Sequence, residues 1–313
     1  MKTTAIYHCW SLDHEPDPYK NLRTSVVPSI ATLRSVSDVD IVVLDCSPER
    51  PHRWGYLQEK LNFQVVKTNF YLEQYSNFVK GYKHLSRIFD IHNWCENQNY
   101  VGDVIYVDSD VFFLKNPLPL EKTRDRFCYD GWNTGYFYFN PNEKKYQQFF
   151  DLFKKYTIDA IQSKETRQSM KKYIGYDDWY EVWDEMVLGY MKNKHPEFFN
   201  LISVDEHSTS RNLSQCKVNN LKVFHGNGSY VPSPTCDETH SRGLLCLMVQ
   251  EFYENITKIL SKQDLVAIFG EKNLDYFENK RFSLLDNVDY LEWIKNEKGH
   301  YELMKFTNGL HVI

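Results

Sequence analysis

The chain has 313 residues with 42% hydrophobic and 25% charged, enough to bury one large core or two smaller ones, and a formal net charge of −5. That balance supplies no global basic field, so nucleic acid and anionic membrane are not expected partners. Seven scattered cysteines, odd in number and without a CxxC pair, argue against a disulfide framework or zinc knuckle and for free thiols in a reducing compartment. No stretch reaches the roughly 20 apolar residues of a membrane helix. "MKTTAIYHCW" turns polar too early for a signal peptide, so the expected location is cytoplasmic. Aromatics, at 16%, fill a core and offer faces on which a base or sugar ring can stack.

The first half alternates strand and helix. "TTAIYHCW" reads as a strand. "PYKNLRTSVVPSIATLRSV" has helical spacing at Leu22, Val26, Ile30 and Leu33, with Pro28 as a kink. "VDIVVLDCS" is a buried strand with Asp45 near its end; "RWGYLQEKLN" and "FQVVKTN" repeat helix and strand. "NFVKGYKHLSRIFDIHNWC" is a helix, followed by the strand of "GDVIYVDSDVFFLKNP". This rhythm predicts an α/β fold with a mostly parallel, Rossmann-like sheet, whose ligands bind beyond the carboxyl ends of the strands. Later, "GYFYFNP" is a strand, "EKKYQQFFDLFKKYTIDAIQSK" and "WYEVWDEMVLGYMKNK" are helices, and "LKVFHGNGSYVPSP" is a strand entering a Gly/Pro loop. Helices are expected from Leu244 to Phe277, then a terminal hairpin at Asn308-Gly309.

Asp108 and Asp110 lie where an apolar strand, Val104 to Val107, runs out. Two carboxylates beside a core are costly unless a cation or hydrogen bonds receive them. A calcium EF-hand loop needs a glycine at its sixth position, and Phe113 stands there. A haloacid-dehalogenase-type phosphatase uses D-x-D with Thr or Val two residues on, where this chain has Phe112, and that motif usually opens its domain. It stays as the alternative reading.

The third possibility is the D-x-D of a nucleotide-sugar transferase. "DVIYVDSDVFFLKNP" resembles the corresponding strand and turn of GT-A-fold glycosyltransferases, closest to the glycogenin/galactosyltransferase-like family 8. "YKHLSRIFD" (82–90), "WNTGYFYFNP" (132–141) and "VFHGNGSY" (223–230) resemble three further elements of that family in the same order. The resemblance covers roughly residues 1–235 and implies a GT-A fold; the remainder resembles no family. It implies a catalytic domain over 1–240, with a nucleotide-sugar half to about 117 and an acceptor half from about 118, to which the element pattern adds a helical C-terminal annex over 241–313 with the hairpin.

It also implies roles. Asp108, Asp110 and His225 would hold Mn²⁺ or Mg²⁺, the imidazole favouring Mn²⁺. Asp108 would also reach the donor, with Ser109 as a small polar spacer and Gly226 in a loop able to approach phosphate. Lys83 and Arg87, four apart on one helical face, would place positive charge near phosphate or donor sugar. Tyr7 would stack on the base, Asp45 would bind its edge, and Asn133 and Thr134 would contact donor hydroxyls. Asp184 and Glu185 resemble the acidic pair facing the reacting sugar, although family 8 usually has Gln at the second position; Asp130 is a further candidate. "GYDDWYEVW" offers aromatic faces to an acceptor sugar. The expected partners are a nucleoside-diphosphate sugar, a UDP-sugar favoured, and a glycan or glycoconjugate acceptor. A non-enzymatic carbohydrate-binding protein is a third reading, against which the intact D-x-D and His225 argue.

Overall fold

Period-two alternation in the strands builds the frame. In β1 (Thr3–Cys9), Ala5 and Tyr7 face one core while Ile6 faces another. Between α1 (Val27–Val36) and α2 (Gly55–Lys60) runs β2 (Asp40–Asp45), followed by β3 (Gln64–Lys67), α3 (Tyr82–Asn97) and β4 (Asp103–Val107). In β4 likewise, Ile105 and Val107 face the first core and Val104 and Tyr106 the second. The structure is a computed structural model and describes residues 2–9, 26–46, 55–76, 82–131, 133–173, 182–209, 213–226, 232–233, 236–240, 242–286, 290–295, 301–307 and 310–312.

Short strands β5 (Val111–Phe113) and β6 (Phe127–Tyr129) precede β7 (Tyr136–Phe139). Helices α4 (Lys144–Gln162), α5 (Lys164–Lys171) and α6 (Asp184–Lys194) lead to β8 (Phe199–Leu201), β9 (His207–Thr209) and β10 (Val223–His225). A ribbon of β11 (Pro232–Ser233) and β12 (Cys236–His240) precedes α7 (Leu245–Met248), α8 (Gln250–Thr257), α9 (Lys262–Phe269) and α10 (Glu271–Glu278). The last strands are β13 (Tyr290–Lys295), β14 (Tyr301–Thr307) and β15 (Leu310–Val312), a three-stranded antiparallel sheet. Among the described residues, no helix is long and apolar enough to cross a membrane.

The main sheet has the order β3-β2-β1-β4-β7-β6-β8. Its first four strands are mutually parallel, β7 is antiparallel to both β4 and β6, and β8 is parallel to β6. The mostly parallel α/β sheet expected from the sequence is therefore present. The chain winds outward from β1 to β3, then crosses back to β4 on the other side of β1. That reversal is a topological switch point, where open α/β sheets leave a crevice beyond the strand ends. Asp108 follows β4 at that place.

Two expectations fail on physical grounds. Pro28 sits in the first turn of α1 and does not kink it; its missing N–H is one that a first turn leaves unpaired anyway. Tyr7 is fully buried in the first core, its hydroxyl 3.1 Å from Ser29 Oγ, so its ring is packing material and not an open face for a base. Leu22 lies outside the described residues, as do Asn308 and Gly309. Strands β5 and β6 are too short to be distinguished in the sequence from the turns around them.

Glu206, beside β9, gives the fold a pH dependence. Burial, reinforced by its bonded neighbour Glu121, pushes its carboxyl up to about 8, against the partial opposition of Lys222. The unfolded chain gives up this proton near the ordinary glutamate value and the native state keeps it until about 8, so unfolding releases a proton as pH rises. The stabilising contribution is complete below the unfolded value and is lost as pH climbs to about 8. The unfolding free energy of the wild type, from urea titrations, is expected to fall over that window by a total on the order of a few kcal/mol. Glu206→Gln is expected to flatten the fall; equal slopes in the two proteins would contradict it.

Candidate active site

The apolar residues after the D-x-D fix its geometry. Val111, Phe112 and Phe113 are fully buried and form β5, which pairs antiparallel with β10 so that Val111 lies opposite His225. Since Asp110 immediately precedes Val111, this register carries His225 to its side: Nε2 is 3.3 Å from Asp110 Oδ1. The ladder continues one residue further, where the Gly226 N–H donates to the Asp110 carbonyl at 2.8 Å. Several contacts hold β5 from behind. Ser29 Oγ donates to the Val111 carbonyl, the Phe113 N–H to Thr32 Oγ1 at 3.1 Å, and Asn255 Nδ2 of α8 to the Phe113 carbonyl at 3.0 Å.

Asp108, Asp110 and His225 each bring one ligating atom, and the three lie within 4.8 Å of one another. Asp110 and His225 are buried, whereas the Asp108 side chain is 26% exposed, so the group opens on the Asp108 side. Burial opposes a charge on His225, but Asp110, then Asp108 and Asp130, outweigh it and raise its pKa above the ordinary histidine value. His207, 5.8 Å behind it ring to ring, shifts the other way, lowered well below that value by burial and by the charge of His225. Asp130 Oδ2 approaches His207 Nδ1 at 3.6 Å.

The segment around Asn133 is shaped by side chains that replace backbone turns. Asp130 Oδ1 accepts from the Asn133 N–H at 2.6 Å and Asn133 Oδ1 from the Gly135 N–H at 2.7 Å. The Gly135 carbonyl in turn accepts from the Asp108 N–H at 2.8 Å. A Cβ on Gly135 would lie 2.1 Å from His225 Cε1, so the imidazole occupies the space that every other residue would fill. Gly135→Ala is expected to displace His225 and weaken Mn²⁺ binding by about tenfold or more. Titration of the folded variant checks this; unchanged affinity would contradict the placement.

Arg87 joins residues that the sequence keeps far apart. It is buried on α3, and its Nε donates to Asp184 Oδ2 at 2.5 Å. Nη1 donates to the Tyr106 hydroxyl at 3.2 Å and to Asp108 Oδ2 at 3.4 Å, and Nη2 to Thr134 Oγ1. Burial works against its charge, but Asp184, Tyr106 and Asp108 outweigh it and raise its pKa well above the ordinary value. The charge expected to face phosphate is thus already shared with two carboxylates of the site. Tyr106 completes this group and has no local signal in the sequence beyond its place in the strand.

The other expected residues divide. Ser109 gives its backbone N–H to Asp108 Oδ1 at 3.0 Å, a turn role. Asp184, buried, is committed to Arg87; the half-buried Glu185 follows it in the first turn of α6. Lys83, one turn before Arg87, holds its ammonium 5.7 Å from the Phe70 ring centroid. Asp45 ends β2 and pairs with Lys67 at 3.2 Å. Trp132, residues 174–181 and the loop at 227–231 lie outside the described residues.

Fold and site together define an α/β protein that gathers two carboxylates and an imidazole at the switch point of a mostly parallel sheet. Solved structures similar to the chain are glycosyltransferases. A galactosyltransferase, LgtC, in complex with donor and acceptor sugar analogs, is 12% identical over 83% of this chain and 98% of its own, with a TM-score of 0.49. Mouse xyloside xylosyltransferase 1 is 12% identical over 73% of this chain and 98% of its own, with a TM-score of 0.46. GlyE, a glycosyltransferase of Streptococcus pneumoniae TIGR4, is 10% identical over 90% of this chain and 64% of its own, with a TM-score of 0.47. No family model matches the sequence, and no curated protein matches it. What this chain does is therefore read from its own residues.

Proposed function

We propose that the protein is a metal-dependent GT-A glycosyltransferase that moves a sugar from a nucleoside-diphosphate sugar, a UDP-sugar favoured, to a glycan or other hydroxyl acceptor. The convergence of Asp108, Asp110 and His225 at the switch point carries this reading. Two carboxylates and an imidazole are a donor set suited to Mn²⁺, or to Mg²⁺ with the imidazole less favoured. The space kept for His225 by Gly135, and the approach of its Nε2 to Asp110 Oδ1 at 3.3 Å, fit a ring held for ligation through Nε2. Bound there, the ion would supply Lewis-acid stabilisation of the charge that grows on the departing nucleoside diphosphate.

The chain's own groups do the rest. Arg87 fixes one oxygen of Asp108 while the Ser109 N–H fixes the other, so the carboxylate is oriented before any donor arrives. The same guanidinium positions Thr134 and Asp184, with Asn133 in the intervening turn, as one preformed wall toward the donor sugar. Glu185 is then the carboxylate of the acidic pair nearer solvent. If the reaction inverts the anomeric centre, Glu185 would take the proton of the acceptor hydroxyl. If it retains, Glu185 would orient the donor sugar and the departing phosphate would accept that proton. Residues 1–117 would form the nucleotide-sugar half, 118–240 the acceptor half, and 241–313 an extension whose helix α8 packs Phe252 against Phe112 of β5.

With Asp108 already clamped by Arg87, the phosphatase reading gains no geometric support. Incubation with UDP-, GDP- and dTDP-sugars and Mn²⁺ tests the proposal. Nucleoside diphosphate release from a UDP-sugar, abolished by chelation and restored by Mn²⁺, is expected. Release indifferent to chelation would remove the metal from the reaction, and hydrolysis of simple phosphate esters in place of sugar transfer would move the protein to the phosphatases.

A further inference from the structure

Helix α3 carries a second polar anchor on the same side as Arg87. Asp90, about one turn further along, meets His8 of β1 and Cys46, the residue after β2. His8 Nε2 is 2.8 Å from Asp90 Oδ2 and 3.3 Å from Cys46 Sγ, and the Sγ–Oδ2 edge is 3.9 Å. All three residues are buried. Phe70 packs edge-on against the His8 ring, centroids 5.6 Å apart. The second oxygen of Asp90 accepts the Tyr71 N–H at 2.8 Å, which fixes the plane of the carboxylate.

A buried His–Asp pair satisfies itself without a thiol. Here the carboxylate and the sulfur both approach one imidazole nitrogen, which offers a single proton or a single lone pair. Three different ligand types on three separate elements thus aim at one small triangle. Zinc bonds of about 2.0–2.3 Å at tetrahedral angles place ligand atoms roughly 3.4–3.6 Å apart. The observed edges of 2.8, 3.3 and 3.9 Å straddle that value.

We infer that His8, Cys46 and Asp90 form a second metal site, distinct from Asp108–Asp110–His225, that takes a borderline-soft divalent cation of the zinc class. Its nitrogen, sulfur and oxygen donors differ from the oxygen-rich group at the D-x-D, so the two sites select different ions. Three protein ligands is the number zinc uses when a fourth position is left to an external ligand. The hydrogen-bonded Asp90 is the outer-shell orientation such sites require. An ion here would tie together the carboxyl ends of β1 and β2 and the middle of α3, the helix that also presents Arg87 to the D-x-D group.

The test is titration of the reduced full-length protein with Co²⁺, a spectroscopic substitute for zinc. Only a thiolate ligand produces the near-ultraviolet sulfur-to-cobalt charge-transfer band, and the D-x-D group contains no sulfur. One equivalent of band is expected in the wild type and in Asp110→Ala, none in Cys46→Ser, and reversal by added Zn²⁺. Asp90→Asn, which keeps the thiol, is expected to weaken Co²⁺ binding by about tenfold or more. Absence of the band in the wild type, its survival in Cys46→Ser, or an unchanged affinity in Asp90→Asn would overturn the inference. Loss of the band in Asp110→Ala would assign the cobalt signal to the first site and overturn it equally. The result is independent of sugar transfer.

Discussion

Asp110→Ala is expected to lower Mn²⁺-dependent release of nucleoside diphosphate by about a thousandfold, equivalent to about 4 kcal/mol of transition-state stabilisation. The carboxylate is buried against His225, and β5 and β10 hold the two residues in register. The loss is expected in kcat more than in the affinity for the nucleoside portion of the donor. Binding of Mn²⁺, followed by electron paramagnetic resonance, is expected to weaken in parallel. A variant that keeps wild-type turnover at saturating Mn²⁺ would remove Asp110 from the ion's ligands.

Arg87→Met has its largest expected effect on stability. The substitution leaves Asp184, 1% exposed, without the guanidinium that accompanies it, and takes a donor from Asp108, Thr134 and Tyr106 at once. Breaking a buried ion pair from one side costs about 3–5 kcal/mol, because a charge stays behind in the core. Adding Asp184→Asn removes that stranded charge. The double variant is therefore expected to regain part of the loss, with a coupling of about 1–3 kcal/mol in urea unfolding. Strict additivity of the two single changes would show that the pair is not energetically joined. Activity is expected to stay low in both backgrounds, since Asp108 has lost its anchor.

These two variants mark what can be read from local sequence and what cannot. Asp108 and Asp110 are legible because the evidence is local: an apolar strand, two carboxylates and another apolar run within a dozen residues. His225 is legible for a similar reason, a short strand followed by glycine. What brings them together, the antiparallel register of a three-residue β5 with a three-residue β10, has no signature of its own, since strands so short are indistinguishable from turns. Arg87 is visible as a basic residue on a helix face. Its burial and its four partners are consequences of tertiary packing, so its scaffold role is not readable from spacing.

Tyr7 shows the opposite failure. Near a strand end an aromatic residue looks available for stacking, yet the strand runs on to Cys9 and alternation turns Tyr7 into the core with Ala5. Gly135 could have been found by asking why glycine follows Asn-Thr in the turn before β7; the answer is the imidazole of His225. His8, Cys46 and Asp90 are invisible to motif reading because 38 and 44 positions separate them, and only the parallel sheet with its crossover helix makes them neighbours.

The most direct measurement is a crystal structure of the protein with UDP and Mn²⁺. The account predicts one ion held by Asp108, Asp110 and His225, with the nucleotide in the crevice beyond the carboxyl ends of β1 and β4. An ion held elsewhere, or a nucleotide bound away from that crevice with His225 facing neither metal nor phosphate, would contradict it.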